Sequence, residues 1–315
     1  MLLSGADIIT ETLIEQGVEV IFGYPGGQII DVYASLYRYQ DRISHVLTAH
    51  EQGAVHAADG YARSTGRPGV VFATSGPGAT NLVTGIATAF LDSVPLIAIT
   101  GNVPTGSIGY DSFQEIDITG ITLPITKHNF FVGDVQELAD TIRQAFRLAV
   151  SGRPGPVLID VPKDVQTSLW EYIPAPKVER EEAQPAKDIR IRQAAEIINE
   201  AKRPYIYFGG GLISSGAQSE LLALADRIDA VIGCSMMGLS AIPTSHPRFL
   251  GMQGMHGHYA SSMAMHNADC IIALGARFND RSTGNRKKFA TKARIVHIDV
   301  DGSELSKTTT AVSYT

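Results

Sequence analysis

Short, continuously apolar runs alternate along this chain with segments whose apolar positions recur at helical spacing. The first helical pattern follows Ser4, a predicted N-cap; Ile8, Ile9, Leu13 and Ile14 keep the 3.6-residue period and Gly17 stops it. Apolar runs at Val18 to Phe22, Val70 to Thr74, Pro95 to Thr100 and Pro156 to Val161 lie between helical patterns near Gly27 to Tyr39, Glu51 to Ser64, Ala79 to Phe90 and Val135 to Val150. Runs that are continuous rather than alternating are buried on both faces, the condition of a parallel sheet covered by helices. The first part of the chain is therefore expected to be a doubly wound α/β domain.

Between Glu171 and Asp188 the pattern stops. Pro174, Pro176 and Pro185 mix with Lys177, Glu179, Arg180, Glu181 and Glu182, with little to pack, which predicts an extended, solvated connector. A second alternating unit follows: a helix near Ile189 to Ala201, a strand at Tyr205 to Phe208, the turn Gly209-Gly210-Gly211, a helix near Ala217 to Ile228, and strands at Cys270 to Leu274 and Arg294 to Ile298. It too reads as a Rossmann-like domain. The expected organisation is α/β with two doubly wound, mostly parallel-sheet domains: 1–170, a linker 171–188, and 189–315.

Composition removes some classes of function. With 26 Lys and Arg against 32 Asp and Glu, the net charge of −6 offers no basic face for nucleic acid. Cys234 and Cys270, far apart in apolar surroundings, suit two reduced core thiols better than a disulfide framework. The N-terminus has no basic region ahead of an apolar stretch, and no apolar run approaches the roughly 18 residues of a membrane span. These features predict a cytoplasmic protein, with neither nucleic acid nor membrane as partner.

The chemistry concentrates in two stretches, His50-Glu51-Gln52-Gly53-Ala54-Val55 and Thr74-Ser75-Gly76-Pro77-Gly78-Ala79-Thr80-Asn81. The first sets one carboxylate at the mouth of a helix; the second is a glycine-proline turn opening the next helix. On spacing alone Glu51 is as well explained as a first-turn carboxylate complementing the helix dipole. The glycine turn is no nucleotide-triphosphate loop, because no Gly-Lys-Ser/Thr follows. Tyr24-Pro25-Gly26-Gly27 ends the first strand and leaves backbone amides free to face a ligand, although a plain βα turn has the same composition. His256 and His258 have no carboxylate or Cys at ligand spacing, so they read as loop histidines and no metal site is expected.

The segments 50–63 and 73–81 closely resemble the pyrimidine-binding domain of thiamine-diphosphate enzymes. The chain as a whole resembles the catalytic large subunits of acetohydroxyacid (acetolactate) synthases. This resemblance implies decarboxylation of pyruvate and its condensation with a second 2-keto acid, giving acetolactate or acetohydroxybutyrate for branched-chain amino acid synthesis. It implies that Glu51 shares a proton with the thiamine pyrimidine, that Gly27 lies beside the thiazolium with Tyr24 and Pro25 lining the pocket, that Gln114 acts in catalysis, and that Phe113 and Arg281 face the substrate. Gln28 stands where the family has a small residue. FAD is implied as a structural cofactor, held by Arg153, Gly209, Gly210, Gly211, Met255, His256, Gly257, Gly275, Arg277, Asn279 and Asp299; Asn279 replaces the usual Asp.

The family's Gly-Asp-Gly motif for Mg²⁺ and the diphosphate is not found; Gly133-Asp134-Val135 lacks the second glycine. The expectation is that these 315 residues supply only the pyrimidine half of the thiamine site, that the Mg²⁺ ligands lie in a missing domain, and that the chain is inactive alone. Expected partners are 2-keto acids, a second copy in a homodimer or larger assembly, and a regulatory small subunit. Two alternatives remain: another thiamine-dependent carboligase or decarboxylase, and a non-catalytic fragment that binds FAD or dimerises.

Overall fold

The computed structural model of the chain describes residues 1–180, 185–311 and 313–314. Of the expected connector, Glu181 and Glu182 lie outside the described residues. The chain divides into two compact units, Met1–Glu181 and Glu182–Thr315.

In the first unit the strands are β1 (Leu2–Ser4), β2 (Val20–Gly23), β3 (Ser44–Leu47), β4 (Gly69–Ala73), β5 (Leu96–Asn102), β6 (His128–Phe131), β7 (Pro156–Pro162) and β8 (Leu169–Glu171). Six of them form a sheet of order β3-β2-β4-β5-β7-β6, parallel at every pairing. β4, β5 and β7 are buried throughout, as their unbroken apolar runs require. Two apolar layers cover the sheet. One is built around Ile8, Ile9, Leu13, Ile142 and Phe146, the other around Val55, Ala58, Leu82 and Ile86. Gly85 makes the second layer possible, because a Cβ there would strike Val55.

Most predicted elements form within a residue or two of their expected bounds, and three differences have physical causes. The helix expected near Ala79 to Phe90 is divided into Pro77–Thr80 and Val83–Asp92. The join tightens to an i to i+3 bond, Leu82 N to Ala79 O at 3.1 Å, where Asn81 turns its side chain toward Glu51. β1 and β8, which carry no recognisable apolar run, form a separate antiparallel ladder. The connector also starts differently from its solvated expectation. Tyr172 is 3% exposed, its hydroxyl donates to Glu15, and the amides of Ala175 and Val178 donate to the side chains of Glu15 and Gln16.

The N-cap reading of Ser4 has a geometric counterpart. Its hydroxyl accepts from Asp7 N at 3.2 Å and donates to the Asp7 carboxylate at 2.7 Å, at the start of helix Gly5–Glu15. Ser4→Ala is expected to cost about 1 kcal/mol. Urea unfolding followed by the single tryptophan, Trp170, checks it; an unchanged midpoint contradicts the cap assignment.

The second unit holds β9 (Pro204–Phe208), β10 (Val231–Cys234), β11 (Phe249–Met252), β12 (Cys270–Leu274), β13 (Arg294–Ile298) and β14 (Ser313–Tyr314) in the order β11-β10-β9-β12-β13-β14, again all parallel. β13 pairs with the two-residue strand β14, Val296 opposite Ser313. Gly209-Gly210-Gly211, expected as a turn, opens a short helix, Gly210–Ser215. Both units thus have the architecture the apolar runs predict.

Candidate functional site

In open parallel sheets, ligands bind outside the carboxyl ends of the strands where the strand order reverses. In the first unit that point lies between β2 and β4, since the chain runs from β2 outward to β3 and returns on the other side of β2 as β4. Tyr24 to Gln28 follow β2, Glu51 follows β3, Ser75 to Asn81 follow β4, and Gln114 lies in the segment after β5. The topology therefore gathers at one sheet edge residues far apart in sequence.

Glu51 is the first residue of helix Glu51–Thr65 and is 9% exposed. Asn81 Nδ2 donates to its Oε2 at 2.9 Å, and a Cβ on Gly78 would stand 3.3 Å from its Oε1. Thr74 links the two turns. Its Oγ1 accepts from Gln28 N at 3.1 Å, and Cβ atoms on Gly26 and Gly78 would both fall against its side chain. Gly76 has φ +60°, and a Cβ there would lie 2.7 Å from the Gln114 carbonyl oxygen, so this turn requires glycine twice over. Gln114 itself holds a left-handed φ of 61°, a conformation that concentrates at functional loops.

Not every nominated residue is enclosed. Phe113 is 83% exposed and Tyr24 is 42% exposed. Pro25 is half-buried, and Gly27 is exposed, with open space where a Cβ would be. Sequence reasoning missed three residues that hold the crevice: Asn81 as the donor to Glu51, Lys163, whose Nζ donates to the Gly27 carbonyl at 2.8 Å, and Gln166, which donates to the Gln28 carbonyl. Lys163 carries one local signal, a charged residue directly after the fully buried strand β7.

The crevice also contains polar atoms that the protein leaves without partners: Gln28 Oε1, Tyr33 OH and Ser75 Oγ are buried and unbonded. Burial, reinforced by the charge of Glu51, pushes the Tyr33 hydroxyl well above its ordinary value. An unsatisfied buried polar group costs about 1–3 kcal/mol, so such atoms around a carboxylate and an uncovered glycine turn fit a heteroaromatic, hydrogen-bonding ligand.

The second unit repeats the logic at its own reversal point, between β9 and β12. Gly209 to Gly211 follow β9 and Gly275 to Arg281 follow β12. The glycines face each other: Gly211 N donates to Gly275 O at 3.1 Å, and a Cβ on Gly211 would lie 2.6 Å from Gly275 Cα. Their small size thus serves the approach of two chain segments. Met255 meets Arg281, with Met255 N donating to Arg281 O at 2.8 Å. Gly257 closes the same loop, where a Cβ would strike the Met252 carbonyl, and His256 is exposed beside it. Asn279 caps helix Asp280–Thr283 by accepting from Ser282 N at 2.9 Å. Arg277 is half-buried between Ala276 and Phe278, two core residues.

Asp299 accepts from Asp301 N at 2.9 Å with one oxygen and stands 3.9 Å from His297 Nε2 with the other, and burial raises its carboxyl. Arg153 belongs to the first unit, where it donates to Ser93 Oγ at 2.7 Å. Among the described residues no group of three or more His, Cys, Asp or Glu could hold a metal ion, and no helix is long and apolar enough to cross a membrane.

Residues 3–121 match the family "Thiamine pyrophosphate enzyme, N-terminal TPP binding domain", and residues 191–314 match "Thiamine pyrophosphate enzyme, central domain". The chain belongs to the thiamine pyrophosphate enzyme family. Within that family it is 46% identical to the acetolactate synthase isozyme 3 large subunit of Escherichia coli, with 98% of this chain and 55% of the relative covered. It is 50% identical to a probable acetolactate synthase large subunit of Methanocaldococcus jannaschii, over 97% of this chain and 52% of the relative. The Corynebacterium glutamicum large subunit is 47% identical, over 97% and 49%. The chain spans about half the length of the curated relatives it matches. The family's N-terminal match includes Glu51 and Asn81.

Proposed function

We propose that the first unit supplies the pyrimidine side of a thiamine diphosphate site, and that the whole protein condenses pyruvate with a second 2-keto acid to acetolactate or acetohydroxybutyrate. The observation that supports this reading is the Glu51 carboxylate, buried at the strand-order reversal, held by Asn81 and flanked by glycines on the crevice side. Bound thiamine diphosphate supplies a carbon nucleophile once its pyrimidine has been protonated and its thiazolium deprotonated. The residues of the chain do the rest.

Asn81 fixes one oxygen of Glu51 and leaves the other directed to the Gly78 face, where it exchanges a proton with a ring nitrogen. Thr74 and Lys163 hold the Gly27 turn in place, and Gly27 leaves open space there, so the turn would help hold the cofactor. Gln114, in a strained loop against Gly76, offers an amide donor to the substrate carbonyl, where negative charge develops. Phe113 is assigned to the 2-keto acids, and Tyr24 and Pro25 to the pocket wall.

FAD is assigned to the second unit's reversal point, with Gly209, Gly210, Gly211, Gly275 and the Met255 to Gly257 loop as its backbone cradle, Arg277 for the pyrophosphate, and Asp299 for a ribose hydroxyl. Mg²⁺ and the diphosphate are assigned to no residue described here. A homodimer, a regulatory small subunit and a cytoplasmic location complete the reading.

The test is a chimera of residues 1–315 followed by the C-terminal half of the M. jannaschii relative, given pyruvate, thiamine diphosphate, Mg²⁺ and FAD. Acetolactate formation supports the proposal. A folded, cofactor-loaded chimera that releases only acetaldehyde or nothing from pyruvate contradicts it.

A further inference from the structure

Gln166 lies on the short helix Lys163–Thr167 and is fully buried. Its Nε2 donates to two carbonyls at 2.8 Å each, Val161 O at the end of its own strand and Gln28 O in the crevice turn. Gln166 Oε1 has no partner. An amide kept at this depth with half of it unsatisfied is poorly explained by stability, because an apolar side chain of the same length would leave no orphaned oxygen of its own. What the amide delivers is a fixed position for the Gln28 carbonyl.

The same turn is gripped on its other atoms. Gln28 N donates to Thr74 Oγ1 at 3.1 Å, and Lys163 Nζ donates to Gly27 O at 2.8 Å. Gly101 lets the turn settle onto β5, since a Cβ there would strike the Gln28 carbonyl. Of the side chains that grip the turn, Gln166 is the most deeply buried, at 0% exposed against 8% for Thr74.

Resting on the cofactor reading above, we propose that Gln166 is a positioning residue that sets the height of the Gly27-Gln28 turn over the crevice, and through it the affinity for thiamine diphosphate. Two measurements test this. In the 315-residue chain without cofactor, Gln166→Leu accelerates amide hydrogen exchange at Gln28 and Ile29 by about 10-fold, the worth of one buried hydrogen bond, while amides in β5 keep their rates. In the chimera, the same substitution raises the thiamine diphosphate dissociation constant by about 10-fold. Proton exchange at the thiazolium carbon, measured with the cofactor saturating, stays within about 2-fold because Glu51 is untouched.

Gln166→Glu supplies a readout that a packing role would not move. Its carboxylate faces two carbonyls and repels the turn, and protonation restores one donor, so affinity relative to the parent recovers as pH falls from about 8 to about 6. Gln166→Met, which keeps the length without the donor, replaces Leu if Leu lowers the melting temperature. Unchanged exchange at Gln28 and unchanged affinity in a folded variant overturn the proposal. A parent chimera that binds no thiamine diphosphate overturns the underlying cofactor reading instead, while the exchange measurement on the 315-residue chain still decides whether Gln166 holds the turn.

Discussion

Glu51→Gln in the chimera lowers acetolactate turnover by about 10² to 10⁴, the usual contribution of a positioned acid or base. The substitution is nearly isosteric. Its amide oxygen still accepts from Asn81 Nδ2, and the side chain still fits against the Gly78 face, so the melting temperature of the first unit is unchanged. Only the ability to take and return a proton disappears. Asn81→Ala gives a milder loss, because the carboxylate remains and merely loses one fixed oxygen. If Glu51 were only a first-turn charge, the amide would cost a few tenths of a kcal/mol in stability and nothing in rate. Turnover within a factor of about two of the parent excludes the proton-sharing role.

Arg143→Ala has the largest expected effect on stability, about 3–5 kcal/mol from the first unit. Arg143 Nε and Nη2 grip both oxygens of Glu15, at 2.9 and 2.8 Å, and the two side chains are only 14% and 9% exposed. The same carboxylate accepts from Tyr172 OH and Ala175 N, so it pins the start of the connector to the helix Gly5–Glu15. Without the guanidinium, a nearly buried charge keeps only neutral donors.

Burial raises the Glu15 carboxyl, but the bonds from Arg143, Ala175 and Tyr172 outweigh it and hold it at about 2, against an ordinary 4.5. A carboxyl depressed in the folded state contributes stability that is complete above about pH 4.5 and disappears as pH falls toward 2; the separation corresponds to roughly 3 kcal/mol. Unfolding followed by Trp170 therefore shows an acid limb in that window. Glu15→Gln flattens it, and an unaltered limb in that variant assigns it to other carboxylates. Asp160 shows the opposite sense. It is 2% exposed, and burial lifts it to about 6 in spite of bonds from Thr100 and Asn102, so it adds no acid limb of its own.

How much of this was legible in the sequence follows from the range over which each interaction acts. Strands β4, β5, β7 and β12 were legible because each is apolar and buried on both faces, which leaves a run of consecutive apolar letters. β3 was not, since as an edge strand it exposes Ser44, Val46 and Leu47 and its pattern resembles a loop. β8 was missed for the same reason. Ser4 and Glu51 were legible because a cap and a helix mouth are local events.

Their partners were not legible. Asn81 reaches Glu51 across 30 residues, Lys163 reaches Gly27 across 136, and Gln166 reaches Gln28 across 138, pairings that exist only because parallel strands bring their carboxyl ends together. The second unit shows the converse. Its glycines were conspicuous in sequence, and the structure gives them a packing duty, Gly211 against Gly275, that composition alone does not distinguish from a cofactor cradle.

Glu51 is the group through which the first unit is proposed to activate thiamine diphosphate. The most direct measurement is hydrogen-deuterium exchange at the thiazolium carbon of the cofactor bound to the chimera, by quenched-flow NMR, with parent and Glu51→Gln both saturated. Exchange is expected to be rapid in the parent and, in the variant, slowed by about 10² or more toward the rate of the free cofactor. Equal exchange rates in the two proteins would contradict it.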